Sequence, residues 1–329
     1  MDYMLQEITL AEMEKKILLK GGSLSKTYRL GNKVIKTISL EDEREYGYVR
    51  WYSQQKKLQK YSDNYPELFP KIYKIENTKT EAKIFMEYME GFEDIKTLFT
   101  KDNLSLKIIS KINDSIWEGF RKLHSNKYKS INGLGSLYYQ EEVIQKIHDA
   151  LNSSNEFLDF YNIENYIFNE KIVTGFQQYE NSLSKYFKNL SLDSEEFIFG
   201  NPTLENMLYS IKQDRTIFID LYEESILDSK FLDYSMVLQC SNSYYGYLND
   251  NKVSVNDNIL MHNLDVPLNF INFNSIFCDN LNKKDMQLIK VLEATQFFRM
   301  LPFKVKSNDL IKAKYFYVHG CMLLGEVFK

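Results

Sequence analysis

Two glycines, Gly21 and Gly22, are followed by Ser23, Leu24 and Ser25 between runs that alternate apolar and polar residues, and Lys36 stands on the next such run. Glycines let backbone amides approach phosphate oxygens closely, and a lysine on the adjacent strand neutralises them. An ordinary hairpin with a solvated lysine has the same pattern, and no Walker-type GxxxxGKS/T is present. Farther on, FIFGNPTLENMLYS sets Gly200, Asn201 and Pro202 between strand-like runs, with Asn206 five positions after Asn201. Two polar side chains in such a loop can point at one space, and the carbonyl oxygen of Asn206 suits a hard cation such as magnesium. In TIFIDLYEES, Asp220 ends an apolar run, a costly place for a carboxylate unless it is paired or binds metal. Taken singly, the loop also reads as a Pro-Asn turn, and Asp220 as half of a salt bridge.

Order narrows these alternatives. A glycine-rich turn, a strand lysine, an apolar run ending in MEYMEG, a loop ending in Asn and a strand ending in Asp follow one another as the parts of kinase-type phosphoryl transfer do. On these residues the sequence resembles the aminoglycoside phosphotransferase and choline kinase-like family. It looks most like the bacterial branch associated with polysaccharide and sugar-nucleotide biosynthesis, whose loop usually reads HGDxxxxNIL and whose later motif resembles IDPRG. The closing EATQFFRMLPFKVKSNDLIKAKYFYVHGCMLLGEV is similar to that branch's C-terminal pattern around a Met-Leu-Pro, so the resemblance spans nearly the whole chain.

The resemblance implies an α+β, two-lobed protein kinase-like fold, with a small antiparallel-sheet N-lobe over residues 1–89 and a large, mostly helical C-lobe over 90–329. It implies ATP and Mg2+ as cofactors and a small hydroxylated acceptor such as a sugar or amino alcohol. Gly21, Gly22, Ser23 and Ser25 would cover the nucleotide phosphates, Lys36 would contact them, and Glu45, or Glu43 beside it, would orient that lysine. Met86 to Met89 would form the hinge, with the Glu87 carbonyl and the Met89 amide bonding adenine. Asn206 and Asp220 would hold magnesium, and Asp233 would brace the catalytic loop. The departures are as specific: Phe199 replaces the usual histidine, Asn201 the catalytic aspartate, and LYEE follows Asp220 in place of PRG. An amide accepts a hydrogen bond from a hydroxyl but does not take its proton near neutral pH. Glu205, Glu223 and Glu224 are nearby carboxylates for that role, and a nucleotide-binding module without turnover is the alternative reading.

The positioning elements are legible in outline. From Ile17 to Ser39 the alternation reads as two or three antiparallel strands, Glu41 to Tyr61 as a helix, and KIYKIEN and AKIFMEYM as two more strands. Past Gly91 the composition turns helical: Leu106, Ile109, Ile112, Ile116, Phe120 and Leu123 share one helix face. EEFIFGN and RTIFIDL read as strands around a loop, the one hairpin in the helical part, and 152–155 and 249–258 read as surface loops. Tyr244, Tyr245 and Tyr247 are candidates for an acceptor pocket, although aromatic clusters usually serve packing.

Composition excludes other classes. The chain has 329 residues, 44% of them hydrophobic, and a net charge of −4, which permits a full core and argues against nucleic acid as partner. No segment approaches the length of an apolar membrane span, and a cytoplasmic location is expected. Cys240, Cys278 and Cys321 are too scattered for a zinc or disulfide framework, and the four histidines lack ligand spacing.

Overall fold

The computed structural model describes residues 16–19, 25–41, 47–101, 104–129, 132–250 and 253–328. The alternating N-terminal run forms β1 (Ile17–Leu18), β2 (Lys26–Leu30) and β3 (Lys33–Ser39). Gly31, at φ 56, turns β2 into β3 in a left-handed conformation that costs glycine nothing sterically. With β4 (Ile72–Asn77) and β5 (Glu81–Glu87) they make an antiparallel sheet in the order β1-β2-β3-β5-β4. Lys36 pairs with Ile84, between Val34 opposite Met86 and Ile38 opposite Ala82. Because side chains alternate across a strand, Lys36 projects from the face that carries the buried Ile38, Ala82, Ile84 and Met86. Helix α1 (Tyr48–Asn64) lies against β3, β4 and β5 and buries Trp51, Leu58 and Tyr61.

The hairpin of Met207–Ser210 and Arg215–Phe218 packs with this sheet unit. Phe218 donates its amide to the Leu68 carbonyl at 2.7 Å, and its ring meets the edge of Phe69 with centroids 5.9 Å apart. Met1–Glu93 and Asn206–Glu224 thus group as one compact unit, and Asp94–Glu205 with Ser225–Lys329 as a second.

The second unit is mainly helical: α2 (Ile95–Thr100), α3 (Leu106–Leu123), α4 (Lys230–Ser241), α5 (Leu268–Asp279), α6 (Met286–Arg299) and α7 (Leu310–Val327) carry its packing. The expected apolar face of α3 buries Ile109, Ile112, Ile116, Phe120 and Leu123 completely. Leu106 departs from it, 61% exposed, because it is the first helical residue, one step past the Ser105 cap. Helix α6 packs on α4 and α7. The unit also holds a four-stranded sheet that its sequence conceals: β6 (Asn165–Phe168), β7 (Lys171–Thr174), β8 (Ser254–Asn256) and β9 (Ile259–Met261), in the order β8-β9-β6-β7. Asn-rich 249–258, expected as loop, therefore contributes a strand. In the 152–155 stretch, Ser154 caps a helix by accepting the Phe157 amide at 3.2 Å.

Phe197, Ile198 and Phe199 are not a strand, contrary to the sequence expectation. They are buried, but the amides of Phe199 and Gly200 are bound by a side-chain carboxylate, Asp233, rather than by a neighbouring strand. Among the described residues, no helix is long and apolar enough to cross a membrane. The cysteines are free thiols, with Cys240 and Cys321 buried.

Candidate phosphoryl-transfer residues

Lys36 and Asp220 meet in an ion pair within the first unit. The lysine arrives on β3, and the aspartate follows the hairpin strand Arg215–Phe218. Its backbone sits at φ 55, a left-handed conformation that is uncommon outside glycine, though aspartate adopts it more readily than most residues. Burial works against the Lys36 ammonium and pulls its pKa from 10.5 down to about 8, while the carboxylate opposite favours the charged form. Met207 pairs with Phe218, and Ile219 donates its amide to the Asn206 carbonyl at 2.9 Å. That bond carries the ladder one step past the strands and brings Asn206 opposite the residue preceding Asp220. The Asn206 amide and the Asp220 carboxylate are hard oxygen donors of the kind Mg2+ takes when phosphates and water complete its shell. Among the described residues, no group of three or more His, Cys, Asp or Glu side chains could hold a metal ion, so any metal here depends on further ligands.

Asn201 belongs to the second unit. The loop before it is held from beneath: the Phe199 amide donates to Asp233 Oδ2 at 2.8 Å and the Gly200 amide to Oδ1 at 2.6 Å. His124 Nε2 is 2.9 Å from Oδ2, and Asp233 is wholly buried. A buried carboxylate tolerates burial when its lone pairs are met this fully. Gly200 is at φ 74, where a Cβ would be strained. Phe199, in place of the expected histidine, is completely buried. Past the loop, Thr203 donates its amide to the Asn201 carbonyl at 2.8 Å.

No protein-family model and no curated protein matches the chain. Among solved structures, the GDP complex of an aminoglycoside 2′-phosphotransferase-IIIa mutant matches with a TM-score of 0.56. The match covers 99% of this chain and 96% of that one at 12% identity. The fold is kinase-like.

In this kinase-like fold the predicted residues fall into four groups. Lys36, Asn206 and Asp220 come together in one unit, as described. Asn201 stands on the other, with the Asp233 brace under its loop. Gly21, Gly22, Ser23, Glu43 and Glu45 lie outside the described residues, whereas Ser25 immediately precedes β2. At the expected hinge, β5 ends at Glu87, whose amide donates to the Lys71 carbonyl at 2.8 Å and whose side chain accepts the Lys71 amide at 3.3 Å. The Met89 side chain is buried, and the Met89 carbonyl accepts the Phe92 amide at 3.2 Å.

Of the carboxylates near Asn201 in sequence, Glu205 pairs with Lys96 and Glu223 with Arg50, while Glu224 is exposed. Tyr245 borders a cavity of about 30 Å³ with Lys96, Thr203, Leu204, Glu205, Cys240, Gly246 and Phe270. That is room for little more than a water molecule. The rings of Tyr245 and Tyr247 pack on Phe316 and Phe270 respectively, so here the tyrosines serve largely as packing.

Two groups of site residues escaped the sequence reading. His124, at the end of α3, completes the Asp233 brace. Its only signal is a histidine directly after an apolar helix face, which specifies no partner. Arg50, Gln54 and Lys57, on α1, hold the segment after Asp220, and nothing in their sequence spacing specifies that partner.

Proposed function

We propose that this chain is a nucleotide-dependent phosphotransferase that moves the γ-phosphoryl group of ATP to a hydroxyl of a small metabolite such as a sugar or amino alcohol. The observation that carries the reading is the Lys36–Asp220 ion pair. It sets a part-buried cation against a carboxylate, with Asn206, whose main-chain carbonyl accepts the Ile219 amide, one ladder step away. In a kinase-like fold these residue types suit a metal-bound polyphosphate. Lys36 neutralises phosphate oxygens, and Asn206 and Asp220 are the chain's ligands for Mg2+. Bound Mg2+ supplies charge neutralisation to the transferring phosphoryl group. The acceptor oxygen forms the new bond to phosphorus, the bridge to the β-phosphate breaks, and the nucleoside diphosphate carries away the bonding pair. By the sequence resemblance, Asn201 would accept a hydrogen bond from the acceptor hydroxyl, with the proton passing to solvent or to phosphate oxygen. The surface-polysaccharide setting rests on the sequence resemblance alone.

A second reading, a module that binds nucleotide without turnover, is favoured by one observation: Asn201 stands at the position of the expected base, and Glu205 and Glu223 are engaged with Lys96 and Arg50. Both readings require nucleotide binding. A ligand that binds only the native state raises the unfolding midpoint in proportion to RT ln(1 + [L]/Kd). Thermal unfolding with MgATP and MgGTP should show that rise, and Lys36→Met should abolish it. Absence of a rise with either nucleotide overturns both readings. Product formation with a panel of sugars and amino alcohols then separates them.

A further inference from the structure

The LYEE that replaces the expected PRG after Asp220 is gripped by one face of α1. Arg50 pairs with the Glu223 carboxylate through its guanidinium and donates to the Tyr222 hydroxyl at 2.8 Å. One turn on, Gln54 donates its side-chain amide to the Leu221 carbonyl. A further turn along, Lys57 donates to the Tyr222 carbonyl at 2.8 Å. Residues spaced by about one turn share a helix face, so the three side chains form a row along consecutive residues 221–223. Leu221 is fully buried, and the Glu223 side chain is only 10% exposed. The residue directly before this clamped segment is Asp220, the one whose backbone is left-handed and whose carboxylate meets Lys36.

We propose that Arg50, Gln54 and Lys57 are positioning residues for Asp220: by clamping 221–223 they hold its backbone in the left-handed conformation that aims the carboxylate at Lys36 and at a metal ion on the nucleotide phosphates. This rests on the phosphotransferase reading above. A left-handed backbone is strained for a non-glycine residue, although less for aspartate than for most, so contacts in the following residues help to hold it. Two side-chain bonds to main-chain carbonyls and one ion pair, all in the three residues that follow, provide that constraint. The clamp gives LYEE a role of its own: Tyr222 and Glu223 are the acceptors that Arg50 requires, and Pro-Arg-Gly would offer neither.

A merely structural clamp would weaken all nucleotide binding or none, whereas a positioning clamp acts on the metal-dependent part. The measurement is nucleotide affinity by calorimetry with Mg2+ and with chelator, for the full chain and for Arg50→Ala, Glu223→Gln, Asp220→Asn and the Arg50→Ala/Asp220→Asn double variant. Glu223→Gln is the mild variant, since it keeps side-chain volume and leaves Arg50 in place. Expected is a loss of at least about tenfold in the Mg2+-dependent gain for Arg50→Ala, a smaller loss for Glu223→Gln, and metal-free affinity within about twofold of the original. In the Asp220→Asn background Arg50→Ala should add nothing. A Mg2+-dependent gain that survives Arg50→Ala and Glu223→Gln alike, or an equal fall with and without metal, overturns the clamp and leaves the phosphotransferase reading standing. An original chain that shows no Mg2+-dependent gain with ATP or GTP overturns both.

Discussion

Gly200 donates its backbone amide to Asp233 Oδ1 at 2.6 Å, so the turn that leads into Asn201 is tied to a wholly buried carboxylate. The Phe199 amide and His124 share the other oxygen. Asp233→Asn would present one acceptor and one donor to a site built of donors, leaving a buried N–H facing an N–H. The expected loss is about 1–3 kcal/mol of unfolding free energy, measured as a lower denaturant midpoint at unchanged slope. An unchanged midpoint would show that the brace contributes nothing to the fold.

Lys36 gives a pH signature. Burial has brought its pKa down to about 8, so at pH 7 the free protein carries the ammonium and above pH 8 loses it. Under the phosphotransferase reading, nucleotide phosphate at Lys36 favours the charged form, so binding would take up a proton above that pH. Kd should stay flat from pH 6.5 to about 8 and then rise by up to about tenfold per pH unit. Isothermal titration across that range checks it, and a flat profile to pH 9.5 would remove Lys36 from the phosphate contact.

The alternation around Lys36 was legible because strand geometry writes itself into sequence at a period of two. Asp220 was legible because a carboxylate at the end of an apolar run demands an explanation. Phe197–Phe199 misled because buried loops and buried strands share an apolar composition; what distinguishes them is the Asp233 carboxylate, 33 and 34 residues away from the amides it binds. Arg50 and Lys57 were invisible for a similar reason, their partners lying 172 and 165 residues distant. Long-range polar pairing leaves no local period.

Asn201→Asp restores a group able to take the acceptor proton. A positioned base contributes about a hundred- to ten-thousand-fold, so under the phosphotransferase reading the variant should turn over faster by a factor in or below that range. Initial rates with the best acceptor from the panel measure it. A rate no higher than that of the original would mean that transfer here proceeds without a base at 201, as a loose transition state permits. Activity in the variant alone would identify the original chain as a nucleotide binder.

Two buried groups in the second unit set opposing pH dependences of stability. His319 is held neutral by burial, its pKa lowered from 6.5 to about 3, with both ring nitrogens lacking a hydrogen-bond partner among the described residues. Between pH 3 and 6.5 the unfolded chain therefore binds the extra proton, and this group makes stability fall as pH falls. Glu293 is raised by burial from 4.5 to about 7, even though Ser243 donates to it at 2.5 Å and Asn242 at 3.0 Å. Between pH 4.5 and 7 the folded chain binds the extra proton, and this group makes stability fall as pH rises. From 4.5 to 6.5 the two slopes, each at most about 1.4 kcal/mol per pH unit, oppose each other. Glu293→Gln should expose the histidine's slope, with stability rising over that interval, and His319→Phe should expose the opposite one. Denaturant titrations at half-unit steps from pH 4 to 8 measure both. Parallel profiles for the two variants would mean that neither group titrates as its burial requires.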